Sequence, residues 1–313
     1  MLESVLFILL LIGLTVVGRF SMSRVLPCLR MVAALWMVGN LSAASLAHRY
    51  SFDGDTTDSI GGATGILSEG ATIFQGALYT EAGPSQRPAM LIPAGVFPAL
   101  GTSFSIESWY TPTHPGEEYY FTIFGFGTEP NQAITAVRDR GPFPTALPNY
   151  QGLSSLSVTA GTSSITHQTL LPGRQTVLDE QTQFLATYDA PTRTVSLFID
   201  GELVSRQVLV NSTDFDLPAL SLNPNFKAGV GGQSPWGDPS LGGSTEDFRL
   251  YAGALTDAEV AALYALGADA ANDQIMSVIP EPAVILLLLA AGGFGILRQW
   301  KRRTDSGDSL CRP

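Results

Sequence analysis

The sequence predicts an all-β fold, two antiparallel sheets packed as a sandwich or jelly roll, with one short helix near the end. Three observations carry this. From Tyr50 onward apolar and polar residues alternate with a period of two. Short runs are punctuated throughout by turn residues, with 32 glycines and 20 prolines in 313 residues. Helical spacing does not occur until Thr256. Many short strands joined by Gly- and Pro-containing turns build sandwiches rather than helical or mixed folds. No internal repeat is present, so a single domain is expected.

In chain order the expected strands are His48–Phe52, Ala71–Tyr79, Ser103–Thr111, Tyr120–Phe126, Gln183–Tyr188, Thr194–Ile199, Leu203–Val210, Phe226–Val230 and Glu246–Tyr251. Asp189-Ala190-Pro191-Thr192 places Asp and Pro where a turn needs them. Asp200-Gly201 is the dipeptide of a tight type I′ hairpin. The helix has the best-marked start. Thr256 is its N-cap, Glu259 completes a capping box, and Leu255 and Val260 occupy the two positions of a hydrophobic staple. Val260, Leu263 and Tyr264 form the expected buried stripe and Gly267 ends the helix. Three irregular segments stand out as long loops: Thr111–Tyr119, Asp139–Gly152 and Gly231–Gly243. Loops of this length in a compact β domain are either functional or tolerated insertions.

Two stretches carry a family resemblance. They are Tyr188-Asp189 with Val195-Ser-Leu-Phe-Ile-Asp-Gly201, and Asp247-Phe-Arg-Leu-Tyr251 with Ala254-Leu-Thr-Asp-Ala-Glu-Val260. Together they resemble the laminin-G-like members of the concanavalin A-like jelly-roll superfamily, from His48 to Gly267. That superfamily holds lectins, adhesion modules and glycosidases, so the resemblance bears on the fold more than on the function. Laminin-G-like jelly rolls often carry one calcium ion held by acids near the first and last strands. By position the resemblance assigns a structural calcium to Asp53, Asp55 and Asp58, with Glu246 or Asp247. The alternative for the first three is a solvated acidic turn.

The two ends of the chain do not read as domain. Residues 4–17 and Met31–Gly39 are apolar, with Arg19, Arg24 and Arg30 between them. Counted from Met22 as the true start, the pattern is a secretory signal within residues 1–47: a basic region, an apolar run, and small residues before a cleavage point after Ala44 or Ala47. The alternative is an uncleaved anchor. The domain is expected over residues 48–267 and a polar linker over 268–279. Then come Pro280-Glu281-Pro282, the apolar run Ala283–Leu297, and the basic cluster Arg298, Lys301, Arg302 and Arg303. This ordered set resembles the bacterial PEP-CTERM sorting signal over residues 280–303, which implies removal by an exosortase-type enzyme after transient anchoring in the inner membrane. The apolar run is shorter than the roughly 20 residues of a full span. Residues 304–313 continue past the basic cluster, as a cytoplasmic tail, where such signals usually stop.

Between His48 and Pro282 there are 25 Asp and Glu against 9 Lys and Arg, a balance of −16 within a chain of net charge −11. So acidic a surface repels phosphate backbones and argues against nucleic acid or anionic lipid as partner. Cys28 and Cys311 lie outside the central region, so the expected domain has no disulfide. His48, His114 and His167 have no zinc-type spacing, and there is no Gly-x-Ser-x-Gly elbow or phosphate-binding loop. Glycoside hydrolysis needs two carboxylates placed across the scissile bond. Glu107 stands alone in its strand, while Asp179-Glu180 and Glu246-Asp247 are adjacent and so face opposite ways on a strand. A non-catalytic module is expected.

For ligand contact the candidates are Trp236, which could stack on a sugar ring, with Gln233 and Asp238 supplying hydrogen bonds, and Tyr119 as a further aromatic. Trp236 as a loop anchor is the competing reading, and Trp109 is expected in the core. The function these features imply is an exported binding or adhesion module at the cell surface, contacting extracellular glycan or matrix. A structural component of the exopolysaccharide or surface layer without a discrete ligand is the alternative. A jelly-roll glycosidase with an atypical site is the third.

Overall fold

A computed structural model describes residues 44–81, 88–113, 121–129, 132–138, 153–160, 168–209, 215–233 and 237–279. Two antiparallel sheets face each other. The first holds β1 (Ser45–Tyr50), β3 (Thr72–Phe74), β4 (Ala77–Thr80), β6 (Phe104–Pro112), β11 (Thr182–Asp189), β12 (Thr194–Ile199), β13 (Glu202–Val208) and β15 (Gly243–Ala252). The second holds β2 (Ile66–Leu67), β5 (Met90–Leu91), β7 (Phe121–Glu129), β8 (Gln132–Arg138), β9 (Leu153–Ala160), β10 (Gln168–Gln175) and β14 (Lys227–Val230). The first sheet runs β13-β12-β11-β6-β15-β4-β3, and the second β10-β9-β8-β7-β14-β5-β2. Strand β15 pairs with β6 along one edge; its other edge is shared end to end by β4 at Gly243–Thr245 and β1 at Phe248–Ala252.

The alternation read from the sequence decides which side chains meet. Phe104, Ile106 and Tyr110 of β6, Phe184, Ala186 and Tyr188 of β11, and Phe248 and Leu250 of β15 point between the sheets. They meet Phe124, Phe126, Ile134, Leu156 and Val158 of the second sheet. Phe124 lies edge-on to Phe184 and Phe248 at centroid separations of 5.7 and 5.9 Å, a geometry that suits the quadrupoles of aromatic rings. Glycine and asparagine-like turn chemistry closes the hairpins where expected. Asp200 and Gly201 both have positive φ (50° and 76°), the type I′ turn between β12 and β13.

The opposite face of the first sheet is roofed. Helix α2 (Asp257–Leu266), after the short α1 (Leu217–Ser221), lays Val260 and Leu263 on Leu185, Phe198 and Tyr251. The capping box forms as expected: the Glu259 N–H donates to Thr256 Oγ1 at 3.3 Å and the Thr256 N–H to Glu259 Oε2 at 2.7 Å. Tyr264, expected in the buried stripe, is instead 43 % exposed and stacks flat on Trp109, with centroids 5.8 Å apart.

Several expectations are corrected. Ala71–Tyr79 is not one strand but the hairpin β3–β4, turning at Gln75 and Gly76, which both have positive φ. Residues 268–279 are not a linker. They contain a third helix, α3 (Asn272–Val278), whose Ile275 is buried with Ile279 in the same cluster as Val260. The domain starts before His48, since β1 begins at Ser45 and Leu46 is buried. Five strands were not foreseen: β2, β5, β8, β9 and β10. The first two are only two residues long, the runs of β8 and β9 are dominated by Ser, Thr, Ala and Gln, and β10 contains Pro172 and Gly173, which edge strands tolerate. Among the described residues no helix is long and apolar enough to cross a membrane. Residues 1–43 of the signal-type region, the 280–303 tail and the 304–313 extension lie outside the described residues.

Candidate functional site

The five acids expected to share a cation are not gathered into one site. Asp53 and Asp55 are exposed, and Asp55 Oδ1 accepts the Thr57 N–H at 2.8 Å. Asp58 is buried and saturated: His48 Nδ1 lies 2.6 Å from Oδ2, and Oδ1 accepts the N–H groups of Arg49, Ile60 and Gly61 at 2.9 to 3.0 Å. Burial pushes the Asp58 carboxyl up, but the Arg49 N–H, His48 and the turn N–H groups outweigh it, and its pKa is lowered. This turn is shaped around the imidazole; a Cβ on Gly61 would fall 2.2 Å from His48 Nδ1. Glu246 is half-buried, accepts the Ser244 hydroxyl at 2.5 Å, and has its pKa raised by burial. Among the described residues no three of His, Cys, Asp and Glu converge as metal ligands. The donor set therefore does not fit a single calcium ion, because Asp58 and Asp247 are already committed to donors of the protein.

Asp247 belongs to a buried polar layer between the first sheet and its helical roof. It accepts Arg249 Nε at 2.8 Å and Nη2 at 2.6 Å, and Arg49 Nε at 3.0 Å. Glu107 accepts Trp109 Nε1 and Gln183 Nε2 at 2.7 Å each, Arg249 Nη1 at 3.3 Å, and the Tyr251 hydroxyl. Two carboxylates thus face two guanidinium groups. Burial alone would push Arg249 down, but Glu107 and Asp247 beside it dominate and hold it charged, above its ordinary range. Arg249 Nη2 also donates to the carbonyls of Gly267 and Ala268, and Arg49 to Ala268 and Asn272. Cations are thereby set at the carbonyl-rich C-terminal end of α2. The side chains of Arg49, Glu107, Asp247 and Arg249 are 0 to 8 % exposed, and the layer fastens β1, the sheet centre and the C-terminal helices together. Glu107, which stood alone in the sequence, is its hub.

An open groove lies at the other edge of the first sheet. It has a volume of about 660 Å³ and is lined by Thr72, Phe74, Tyr79, Thr80, Glu81 and Thr113, with backbone from Gly70, Gly242 and Gly243. The hairpin β3–β4 builds one wall. Its positive-φ turn at Gln75-Gly76 joins the two short strands, and β3 is the last strand of the sheet among the described residues. Phe74 is 60 % and Tyr79 36 % exposed, with ring centroids 6.4 Å apart and planes tilted by 54°. Hydroxyls and one carboxylate flank these rings, which is a mixture suited to a molecule having both apolar faces and hydroxyl groups. Among the described residues no lysine, arginine or histidine lines it.

The loop Gly231–Gly243 reaches this groove through its last two glycines. Gln233 is turned elsewhere: it has positive φ and packs so closely on Gly229 that a Cβ there would lie 2.7 Å from its own Cβ. Asp238 is half-buried with a partner of its own, and neither residue lines the groove. Trp236 and Tyr119 lie outside the described residues, as do His114 and His167. Phe74 and Tyr79 were missed because a nine-residue strand hid them. The Gln-Gly dipeptide between two apolar runs was the signal that could have found the hairpin.

Comparison with known proteins bears on this geometry. A family profile described as the concanavalin A-like lectin/glucanases superfamily matches residues 85–261. Domain 4 of an extracellular arabinanase from Geobacillus stearothermophilus, solved with arabinotriose, is 20 % identical with a TM-score of 0.50, over 70 % of this chain and 98 % of that one. The binding domain of botulinum neurotoxin DC, solved with SialylT, is 12 % identical with a TM-score of 0.50, over 71 % of this chain and 51 % of that one. A carbohydrate-binding module of the Ruminococcus gnavus IT-sialidase, bound to α2,3-sialyllactose, is 15 % identical with a TM-score of 0.41, over 59 % and 95 %. At these identities the likeness is one of fold. No curated protein sequence matches the chain.

Proposed function

We propose, for a chain that belongs to the concanavalin A-like lectin/glucanase superfamily, that it is a non-catalytic module binding extracellular glycan in the β3–β4 groove. One observation carries the reading: Phe74 and Tyr79 are exposed on a wall of hydroxyls and backbone. Apolar faces of a pyranose or furanose ring pack on such aromatics, while Thr72, Thr80, Thr113 and Glu81 take hydrogen bonds from ring hydroxyls. The acidic balance of the domain favours neutral glycans over polyanionic ones. A neighbouring fold solved with arabinotriose, a neutral oligosaccharide, is in keeping with this, as analogy of architecture.

The non-catalytic reading draws on the buried layer. Glu107 and Asp247 each face guanidinium groups under a roof of helices, so neither is placed to protonate or attack a glycosidic bond. Export, and sorting through the Pro-Glu-Pro tail by an exosortase-type enzyme, are proposed from the sequence features at both ends. The test is to incubate the purified chain with a panel of labelled neutral and acidic polysaccharides, following binding and chain length together. Saturable binding of a neutral glycan without shortening is the expected result. Shortening of any member would make the protein an enzyme, and an absence of saturable binding would leave it a structural surface component.

A further inference from the structure

We infer that the glycan-binding surface continues from the β3–β4 groove over Glu246 to Tyr264, so that the module takes a neutral oligosaccharide of several sugars rather than a single one; this rests on the glycan reading above. The register of the first sheet lays out the path. Thr72, Tyr79, Ser244 and Thr111 pair in one row across β3, β4, β15 and β6. Leu78 and Tyr110, the chain neighbours of Tyr79 and Thr111, point into the core. The row therefore stands on the opposite face, the one that α2 covers further along. Trp109 lies two residues from Thr111 on that face and stacks with Tyr264 of α2. Two strands across and two residues along put the backbones of Tyr79 and Trp109 roughly 12 Å apart. One sugar ring cannot touch both aromatic ends, and an oligosaccharide can.

The groups along the path suit such a chain. Tyr264 is exposed yet held in place: its ring lies on Trp109, whose Nε1 donates to Glu107, and a Cβ on Gly201 would come 2.8 Å from its own Cβ. Between the two aromatic ends β15 shifts register from Thr245 to Asp247, and Glu246 is the extra residue of that bulge. Its Oε1 accepts the Ser244 hydroxyl. Thr111 and Gln181 approach the carboxylate from β6 and from just before β11, but Oε2 has no hydrogen-bond partner among the described residues. A shielded acceptor without a donor is costly. Gln181 is exposed, so a sugar hydroxyl that displaces its side chain reaches this oxygen and supplies the missing donor. Glu81 in the groove and Glu246 beyond it are both carboxylates, which suits neutral hydroxyl-bearing sugars and opposes anionic ones.

The test measures the affinity of the purified chain for gluco-, xylo- and arabino-oligosaccharides of two and of six sugars, with Tm recorded for every variant. In a series that binds, the hexasaccharide is expected to bind about tenfold more tightly than the disaccharide. Tyr264→Leu and Glu246→Gln should each remove most of that gain and leave disaccharide affinity within about twofold. Tyr264→Phe, which keeps the ring, should retain the gain, and Phe74→Ala should weaken both lengths. The length comparison uses the wild-type chain, so it decides even where a variant fails to fold. Equal affinity for the two lengths would overturn the extended site and leave the groove reading intact, as would folded Tyr264→Leu and Glu246→Gln chains that bind the hexasaccharide like wild type. No binding at either length in any series would overturn both.

Discussion

At the outer face of the first sheet, Arg49, Glu107, Asp247 and Arg249 are paired with one another and covered by two helices. At the β3–β4 hairpin of the same sheet, Phe74 and Tyr79 are 60 % and 36 % exposed. The first region places expensive polar groups where only mutual satisfaction makes them tolerable. The second leaves hydrophobic surface exposed that folding alone would bury. The contrast separates structure from function more sharply than residue type does. The carboxylates that suggest chemistry hold the domain together, and the plain aromatics are what a ligand would find.

The largest effect should come from breaking the buried layer. Arg249→Leu leaves Glu107 without its guanidinium and Asp247 with only Arg49, and should lower unfolding stability by about 3–5 kcal/mol in urea titration. A loss below 1 kcal/mol would mean that the layer is not a closed network.

Next in size is Asp58. Its carboxyl has a lowered pKa in the folded state, so its contribution is fully present above the unfolded value near 4 and is lost as pH falls through the folded one. The thermal unfolding midpoint should therefore fall below about pH 4. Asp58→Asn should cost about 1.5–3 kcal/mol at neutral pH, the value of hydrogen bonds to a charged group, and flatten that acid limb. An unchanged acid limb in the variant would assign the loss to other carboxylates.

Smaller again is the cap. Thr256→Ala removes the side chain that accepts the Glu259 N–H and should cost about 1 kcal/mol, seen as a lower urea midpoint with an unchanged slope.

How legible these regions were in the sequence differs for physical reasons. The sandwich, the Asp200-Gly201 turn and the capped helix α2 were readable, because period-two alternation, φ > 0 dipeptides and capping boxes are local signals. The buried layer was not. Glu107, Arg249 and Arg49 are far apart in sequence and meet only through the β1-β15-β6 pairing, so Glu107 looked solitary. Helix α3 was read as a linker because Asn272-Asp273-Gln274 are polar; Ile275 and Ile279 become a buried pair only when the roof is in place. The groove was missed for a third reason. Its aromatics belong to strands of three and four residues, too short for alternation to register. The carboxylates assigned to calcium by family position are where the sequence put them, but Asp58 and Asp247 are occupied by a histidine and two arginines that no local pattern announces.

The measurement that tests the central claim most directly is the affinity of the wild-type chain and of the Phe74→Ala, Tyr79→Ala double variant for the best-bound member of the polysaccharide panel, with Tm recorded alongside. Exposed positions should cost less than about 0.5 kcal/mol each, so Tm should stay nearly constant. Affinity should fall at least tenfold, roughly 1.4 kcal/mol. Equal affinity in the two proteins, with folding intact, would contradict the account and move the binding surface away from the groove.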